Sequence, residues 1–398
     1  MRELPPTSGL PPRSGDLLGR GGKADLEAAL AAFLSAPETL LCASGSACLV
    51  VALSCLKRRT AARTVIVPAY TCPLVVLAAH QAGCRVLPCD IMPDGLDLDL
   101  DHLRELVNED TLCVVPTHYG GALTDVDAVR RMLAACAPHV TIIEDAAQAF
   151  GASYDGQPAG TLGDIGFFSF ATGKGLTLIE GGCLIARDAQ LRAELRQTAG
   201  QLLSRAPGYE AWHAFQLLWY HLLYAPSGLA LAYGLPRRFH LARGHPDSAI
   251  GDRSTGTIAM HGVGRFRRRV GVAALVRLPG HLKRSEARLH RLAGDLARRG
   301  SALRPLLGPG HPTGSFLFVQ TDSAAALNRI LARAWPSPFG LSKLFMWALA
   351  GYPALSHLLL PSSTPNAERF AATTLTLTTS PFMTDEDEAA LFDLLREP

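Results

Sequence analysis

Residues 144–186 read EDAAQAFGASYDGQPAGTLGDIGFFSFATGKGLTLIEGGCLIA, and two polar groups in them stand at the ends of apolar strands. Glu144-Asp145 closes the run VTII, and Lys174 follows IGFFSF after a short turn. Burying either charge is expensive unless it is paired or has chemical work to do. An Asp and a Lys 29 residues apart, with a strand between them, are expected to face one pocket at the C-terminal edge of a sheet. The chain holds only five lysines, so one placed directly after a buried strand is a candidate nucleophile, made reactive by desolvation.

Outward from this block, strand-like and helix-like segments alternate. Short β-rich runs stand at 64–68 (TVIVP), 84–89 (CRVLPC), 111–116 (TLCVVP), 140–145, 165–170 and 181–186, with the helical pattern DVDAVRRMLAAC at 125–136. Asp25 to Leu34 has helical spacing, and Ser46 is placed to open a second helix over 46–56. Near-continuous apolar strands separated by helices predict an α/β fold with a mainly parallel sheet covered on both faces. Further on, 283–299 reads as an Arg-rich amphipathic helix, 315–321 as a strand and 385–395 as a terminal helix. The expected organisation is an N-terminal arm (1–24), a large domain (25–255) with an apolar insert at about 205–245, and a smaller α+β domain (256–398). No solenoid repeat is visible.

Composition excludes several classes. The formal charge is only +3, and 33 of the 38 basic residues are Arg without a polybasic run, so no nucleic-acid partner is expected. Nine cysteines all precede residue 184 with no C-x-x-C pair, which argues against a disulfide framework or zinc ribbon and fits a reducing cytoplasm. The first residues lack the apolar stretch of an export signal. Thirteen histidines show no metal-ligand spacing, and no metal site is expected. A P-loop needs Gly six residues before its lysine and Ser or Thr after it, where Phe168 and Gly175 stand, and Gly160, Gly163 and Gly166 do not have dinucleotide-loop spacing.

Residues 211–236 contain no Asp, Glu, Lys or Arg but hold Trp212, Phe215, Trp219, Tyr220, Tyr224 and Tyr233, broken by Pro226 and Gly228. The break argues against a membrane span. Two readings stand: a hairpin buried at a homodimer interface, or an amphipathic element over 211–243 lying on the inner membrane surface, with Arg237, Arg238 and Arg243 near headgroups. A second apolar run covers 344–361.

The block 144–186 closely resembles the signature of the DegT-type sugar aminotransferases, which are fold-type I pyridoxal-phosphate (PLP) enzymes. ASGSAC (43–48) resembles the family's S-G-T-A-A turn, VPAYTC (67–72) its P-x-x-T segment, VVPTHYGG (114–121) its P-V-H-x-x-G strand end, and 364–387 its closing pattern. The resemblance implies that Lys174 holds the cofactor and shuttles a proton, that Asp145 pairs with the pyridine nitrogen, and that Gln148 bonds the ring oxygen. It implies that Ser46, the backbone of Ala47 and Ser169 bind phosphate. His118 and Tyr119 are expected to line the substrate pocket. Tyr70 is expected to stand in for the family's aromatic clamp, whose position holds Cys72. The family's S-F-H-x-x-K lacks its histidine here, with Ala171 in that place. Arg265-Phe266-Arg267 occupies the place of an N-Y-R segment that reaches a neighbouring subunit's phosphate, with Arg265 as the expected contact.

The activity so implied is amino transfer, typically from glutamate, to a keto carbon of a nucleotide-linked deoxysugar by a homodimer. A PLP sugar dehydratase is a rival, but that branch replaces the lysine with histidine. A non-catalytic regulator or scaffold that keeps the fold is the rival of another class.

Overall fold

The computed structural model describes residues 2–18, 25–299 and 303–395. Seven strands form the larger sheet: β1 (Leu40–Cys42), β2 (Thr64–Pro68), β3 (Arg85–Cys89), β4 (Thr111–Val114), β5 (Thr141–Asp145), β6 (Ile165–Ser169) and β7 (Gly182–Ala186). Their spatial order is β1-β7-β6-β5-β4-β2-β3. All neighbours pair in parallel except β7, which runs opposite to β1 and β6. The six strands expected from sequence are present within a residue or two, and the sheet is mainly parallel as expected.

Alternate residues of the strands enter different cores because side chains alternate across a sheet. Val65 and Val67 pack with helices Gly45–Leu56, Pro73–Gln81 and Ala189–Leu202, whereas Ile66 packs with Leu100–Leu106 and Val126–Cys136. Helix Gly45–Leu56 is apolar nearly all round and almost wholly buried, the pattern of a central helix. Its first residue packs tightly on β6, and a Cβ on Gly182 would lie 2.4 Å from the Ser44 backbone, so only glycine lets β7 pass that helix start.

A second, antiparallel sheet holds β8 (Arg304–Leu306), β9 (Phe316–Gln320), β10 (Leu341–Ser342) and β11 (Thr374–Thr378) in the order β8-β9-β11-β10. One face packs on helices Ala324–Ala334 and Asp385–Leu395, and the other presents Phe316 and Phe318 to Tyr70 and Tyr119 beside the large sheet. Helix Leu278–Arg298 joins the two regions: Leu278 and Leu282 pack with the large sheet's residues, and Leu289, Leu292 and Leu296 with the small sheet's. The two- and three-residue strands β1, β8 and β10 are too short to carry a period in sequence.

The N-terminal arm is a packed element. Leu4 and Leu10 are buried in different cores, and Leu10 N–H donates to the Gly175 carbonyl, 3.0 Å. Glu3 is fully buried between Arg237, at 2.7 Å, and Arg238. Removing one partner from such a buried set costs about 3–5 kcal/mol, which gives the arm a fixed seat.

The insert folds as helix Pro207–Leu223, a short helix Pro226–Leu229, a π turn Ala230–Gly234 and helix Leu235–Ala242. Among the described residues no helix is long and apolar enough to cross a membrane. Trp212, Phe215, Trp219 and Leu222 form an exposed stripe at helical spacing, while His213 and Leu217 face inward. The membrane reading puts Arg237 and Arg238 near headgroups; in the structure Glu3 holds both, and Arg237 also donates to the carbonyls of Trp335 and Ser337. Of that trio Arg243 alone remains outward, stacked 4.1 Å over the Phe239 ring.

Candidate active site

Asp145 ends β5 and is buried; its Oδ1 accepts the Ala147 N–H at 3.0 Å, and Oδ2 has no partner among the described residues. Burial raises its pKa to about 6, although the Ala147 N–H and the charge of Lys174 pull it down. Lys174 sits in the turn after β6. Its own N–H donates to the Ala171 carbonyl (3.2 Å), Thr177 Oγ1 donates to the Lys174 carbonyl (3.2 Å), and Gly173 takes φ +78° to make the turn. Desolvation lowers the ammonium pKa, opposed by Cys72 and Asp145. Among the described residues Nζ makes no hydrogen bond or ion pair, so a fixed backbone carries a free amine beside a buried acid.

Cys72, at the start of helix Pro73–Gln81, lies close enough to Lys174 and Asp145 for both charges to act on its thiol, which burial pushes up to about 12. Tyr70 is elsewhere. Its ring packs on Tyr119, Phe345 and Phe370, and its hydroxyl accepts the Phe345 N–H at 3.4 Å, so the structure does not bring it to the Lys174–Asp145 pair.

The start of helix Gly45–Leu56 meets the end of β6: a Cβ on Gly45 would touch the Ser169 Cβ at 3.0 Å. Ser44, not Ser46, caps this helix, and its Oγ accepts the Ala47 N–H at 3.1 Å. The Ala47 amide is therefore already taken, and helix geometry leaves the Gly45 and Ser46 amides as free donors at a positive dipole end. Ser169 Oγ accepts the Ala171 N–H at 3.4 Å, Ser46 is half-buried, and the half-buried Gln148 amide has no protein partner among the described residues.

His118 and Tyr119, expected to line a substrate pocket, are fully buried. His118 Nδ1 accepts the Thr124 N–H at 3.1 Å, which leaves the proton on Nε2 to donate to Glu144 Oε1 at 2.7 Å. Tyr119 donates its hydroxyl proton to the Tyr70 carbonyl at 2.5 Å. Both side chains spend their polar atoms inside the protein, so the expectation is corrected: they are packing residues. Glu144 also accepts the N–H groups of Gly160, Leu162 (2.7 Å) and Gly163 (2.8 Å) and so pins the loop before β6.

Arg265 begins helix Arg265–Leu275, is exposed, and has no ion-pair or hydrogen-bond partner among the described residues. Two positions on, buried Arg267 pairs with Glu210 and donates to the carbonyls of Leu178 (3.2 Å) and Glu180, tying the insert to the segment behind Lys174.

The sequence profile of the DegT/DnrJ/EryC1/StrS aminotransferase family matches residues 14–219, just over half of the chain. The chain belongs to this family. It is 36% identical over 183 residues to an L-glutamine:2-deoxy-scyllo-inosose aminotransferase of Streptomyces fradiae, a stretch covering 45% of this chain and 42% of the relative. It is 31% identical over 177 residues to a GDP-perosamine synthase of Caulobacter vibrioides, covering 44% and 47%. The matched stretch is thus less than half of either relative's length. Among solved structures, PseC of Helicobacter pylori, an aminotransferase involved in the biosynthesis of pseudoaminic acid, superposes with a TM-score of 0.75 over 99% of this chain and 98% of its own, at 14% identity. That likeness shows that the whole chain shares the fold of that structure.

The raised Asp145 pKa has a consequence for the ligand-free family member. An acid whose pKa is higher in the folded state stabilises fully below its unfolded value, here 3.8, and the contribution is lost as pH rises through about 6. We expect the ligand-free protein to lose up to about 3 kcal/mol across this window, and Asp145→Asn to flatten the dependence and stabilise it at neutral pH. Denaturant unfolding of both proteins from acid to neutral pH checks this; parallel curves would refute it.

Proposed function

We propose that the protein is a PLP-dependent aminotransferase that passes an amino group from glutamate to the keto carbon of a nucleotide-linked sugar. The observation that carries this reading is the buried Asp145 set against the free amine of Lys174 at the C-terminal edge of the sheet, beside a helix start with spare N–H groups. These residues suit PLP: its aldehyde needs an amine, its pyridine nitrogen a carboxylate and its phosphate a set of donors. The relatives' names point to sugar and cyclitol acceptors.

In this reading Lys174 Nζ would hold the cofactor and would also serve as the base that moves the proton at the carbon bearing the amine. Asp145, with Oδ2 unpartnered, would hold the pyridine nitrogen protonated, an ion pair that would favour its ionised form. The amides of Gly45 and Ser46 with the hydroxyls of Ser46 and Ser169 hold the phosphate, and Gln148 holds the ring oxygen. Cys72, in the family's aromatic position and close to Lys174 and Asp145, would present a small side chain to the ring. When bound, PLP supplies the electron sink that makes the substrate's carbon acidic.

The exposed Trp212–Leu222 stripe and the unpartnered Arg265 favour a second copy of the chain over a membrane as the insert's neighbour, since two of the three expected headgroup arginines are committed to Glu3. Arg265 then reaches the partner's phosphate. The domain division at about residue 256 is kept, with helix Leu278–Arg298 as the strut.

Absorbance of the protein with PLP, before and after glutamate, tests the activity. We expect a near-visible band that bleaches with glutamate, and Lys174→Ala to slow the reaction roughly 10²–10⁴-fold, the usual worth of a positioned proton carrier. A band unaffected by glutamate would instead indicate a non-catalytic member. Light scattering tests the assembly: a dimer that Trp219→Glu converts to monomer is expected, whereas a monomeric parent that sediments with anionic vesicles would restore the membrane reading.

A further inference from the structure

The sequence offers no metal spacing, yet the fold gathers Glu180, His213 and His261 from three separate segments. One ligand-capable atom of each lies within 4.8 Å of the other two. His213 sits on the inner face of helix Pro207–Leu223, His261 just before helix Arg265–Leu275, and Glu180 directly behind the Lys174 loop. The histidines are 4% and 2% exposed.

Their tautomers follow from their neighbours. His213 Nδ1 lies 2.9 Å from the Tyr209 carbonyl, and His261 Nδ1 2.9 Å from the Gly262 carbonyl. A carbonyl only accepts, so each Nδ1 carries a proton, and Nε2 is the ring nitrogen left to bind an ion. His261 Nε2 is buried with no partner at all. His213 Nε2 lies 3.4 Å from Glu180 Oε2, lone pair against carboxylate. That contact repels unless a cation joins it, either a second proton on His213 or a metal ion. A proton on His213 would satisfy only that pair and leave His261 Nε2 without a partner, whereas a metal ion satisfies all three groups.

We propose that Glu180, His213 and His261 bind one zinc ion that clamps the inserted helix to the segment following Lys174. Two imidazole nitrogens and one carboxylate oxygen are a zinc ligand set, one shared with iron(II), and at zinc bond lengths of about 2.0–2.2 Å tetrahedral ligands stand about 3.4 Å apart. The His213–Glu180 separation already has that value, and small side-chain movements bring His261 to it. Both histidines already donate their other ring nitrogen to a carbonyl, the support that orients metal-bound imidazoles. Glu180 is partly exposed, giving the ion a path in and leaving a fourth position for water.

The test uses the full chain, stripped with a chelator and titrated with zinc chloride against a chromophoric zinc indicator. The expected result is one zinc per chain, with affinity at least tenfold weaker in His213→Ala, His261→Ala and Glu180→Gln and unchanged in the surface control His139→Ala. Zinc is expected to raise the melting temperature of the parent and not of the three variants. Glu180→Gln changes a partly exposed side chain with little loss of volume, so its result stands even where a buried histidine change unfolds the protein. A parent that takes up no zinc, or Glu180→Gln binding as tightly as the parent, would overturn the proposal. PLP absorbance is read in the same samples, which keeps this outcome separate from that of the aminotransferase reading.

Discussion

The structure turns on the desolvation of two opposite charges, Asp145 and Lys174, at one edge of a buried sheet. Burial raises the pKa of the acid and lowers that of the amine, so each is pushed toward its neutral form, and each charge partly relieves the other. Neither is given a full set of protein partners. Much of the surrounding architecture keeps this pair in place: Glu144 holds the loop before β6, Gly182 lets β7 pass close to the helix start, and the N-terminal arm bonds the backbone at Gly175.

The fold was legible because its central strands are unbroken apolar runs ended by polar residues, and Asp145 and Lys174 announced themselves as charges at such ends. Partnerships were less legible. His118 looks like a pocket residue in VVPTHYGG, but its fate is decided by Glu144, 26 positions away, and nothing in local spacing says which buried acid will claim it. The cap of this helix lies two residues before the expected Ser46 because Ser44 and Ser46 are both plausible caps, and only the Ser44 bond to the Ala47 amide separates them. Arg237 and Arg238 looked like a basic fringe beside an apolar stretch. Their partner, Glu3, lies over 230 residues upstream in a segment that reads as a loose arm.

The insert shows the same limit from the other side. An uncharged stretch rich in tryptophan and tyrosine says that some surface avoids water, without saying what covers it. The structure divides that stretch: one face holds His213 and Leu217 against the body of the protein, and the other leaves Trp212, Phe215, Trp219 and Leu222 outside. The Glu180, His213 and His261 cluster joins residues 33 and 48 positions apart, beyond any local ligand pattern.

Lys343 provides the sharpest contrast with Lys174. It is buried where Lys174 is half-buried, with its pKa lowered to about 8, but its ammonium donates to the Ala371 carbonyl beside a separate cavity of about 1040 Å³ lined by Trp335 and Trp347. The measurement that bears most directly on the account is therefore the site of cofactor attachment, read by incubating the chain with PLP, fixing the lysine link with borohydride and mapping the labelled peptide by mass spectrometry. The account predicts label on Lys174 alone; label on Lys343, or spread over the other lysines, would contradict it.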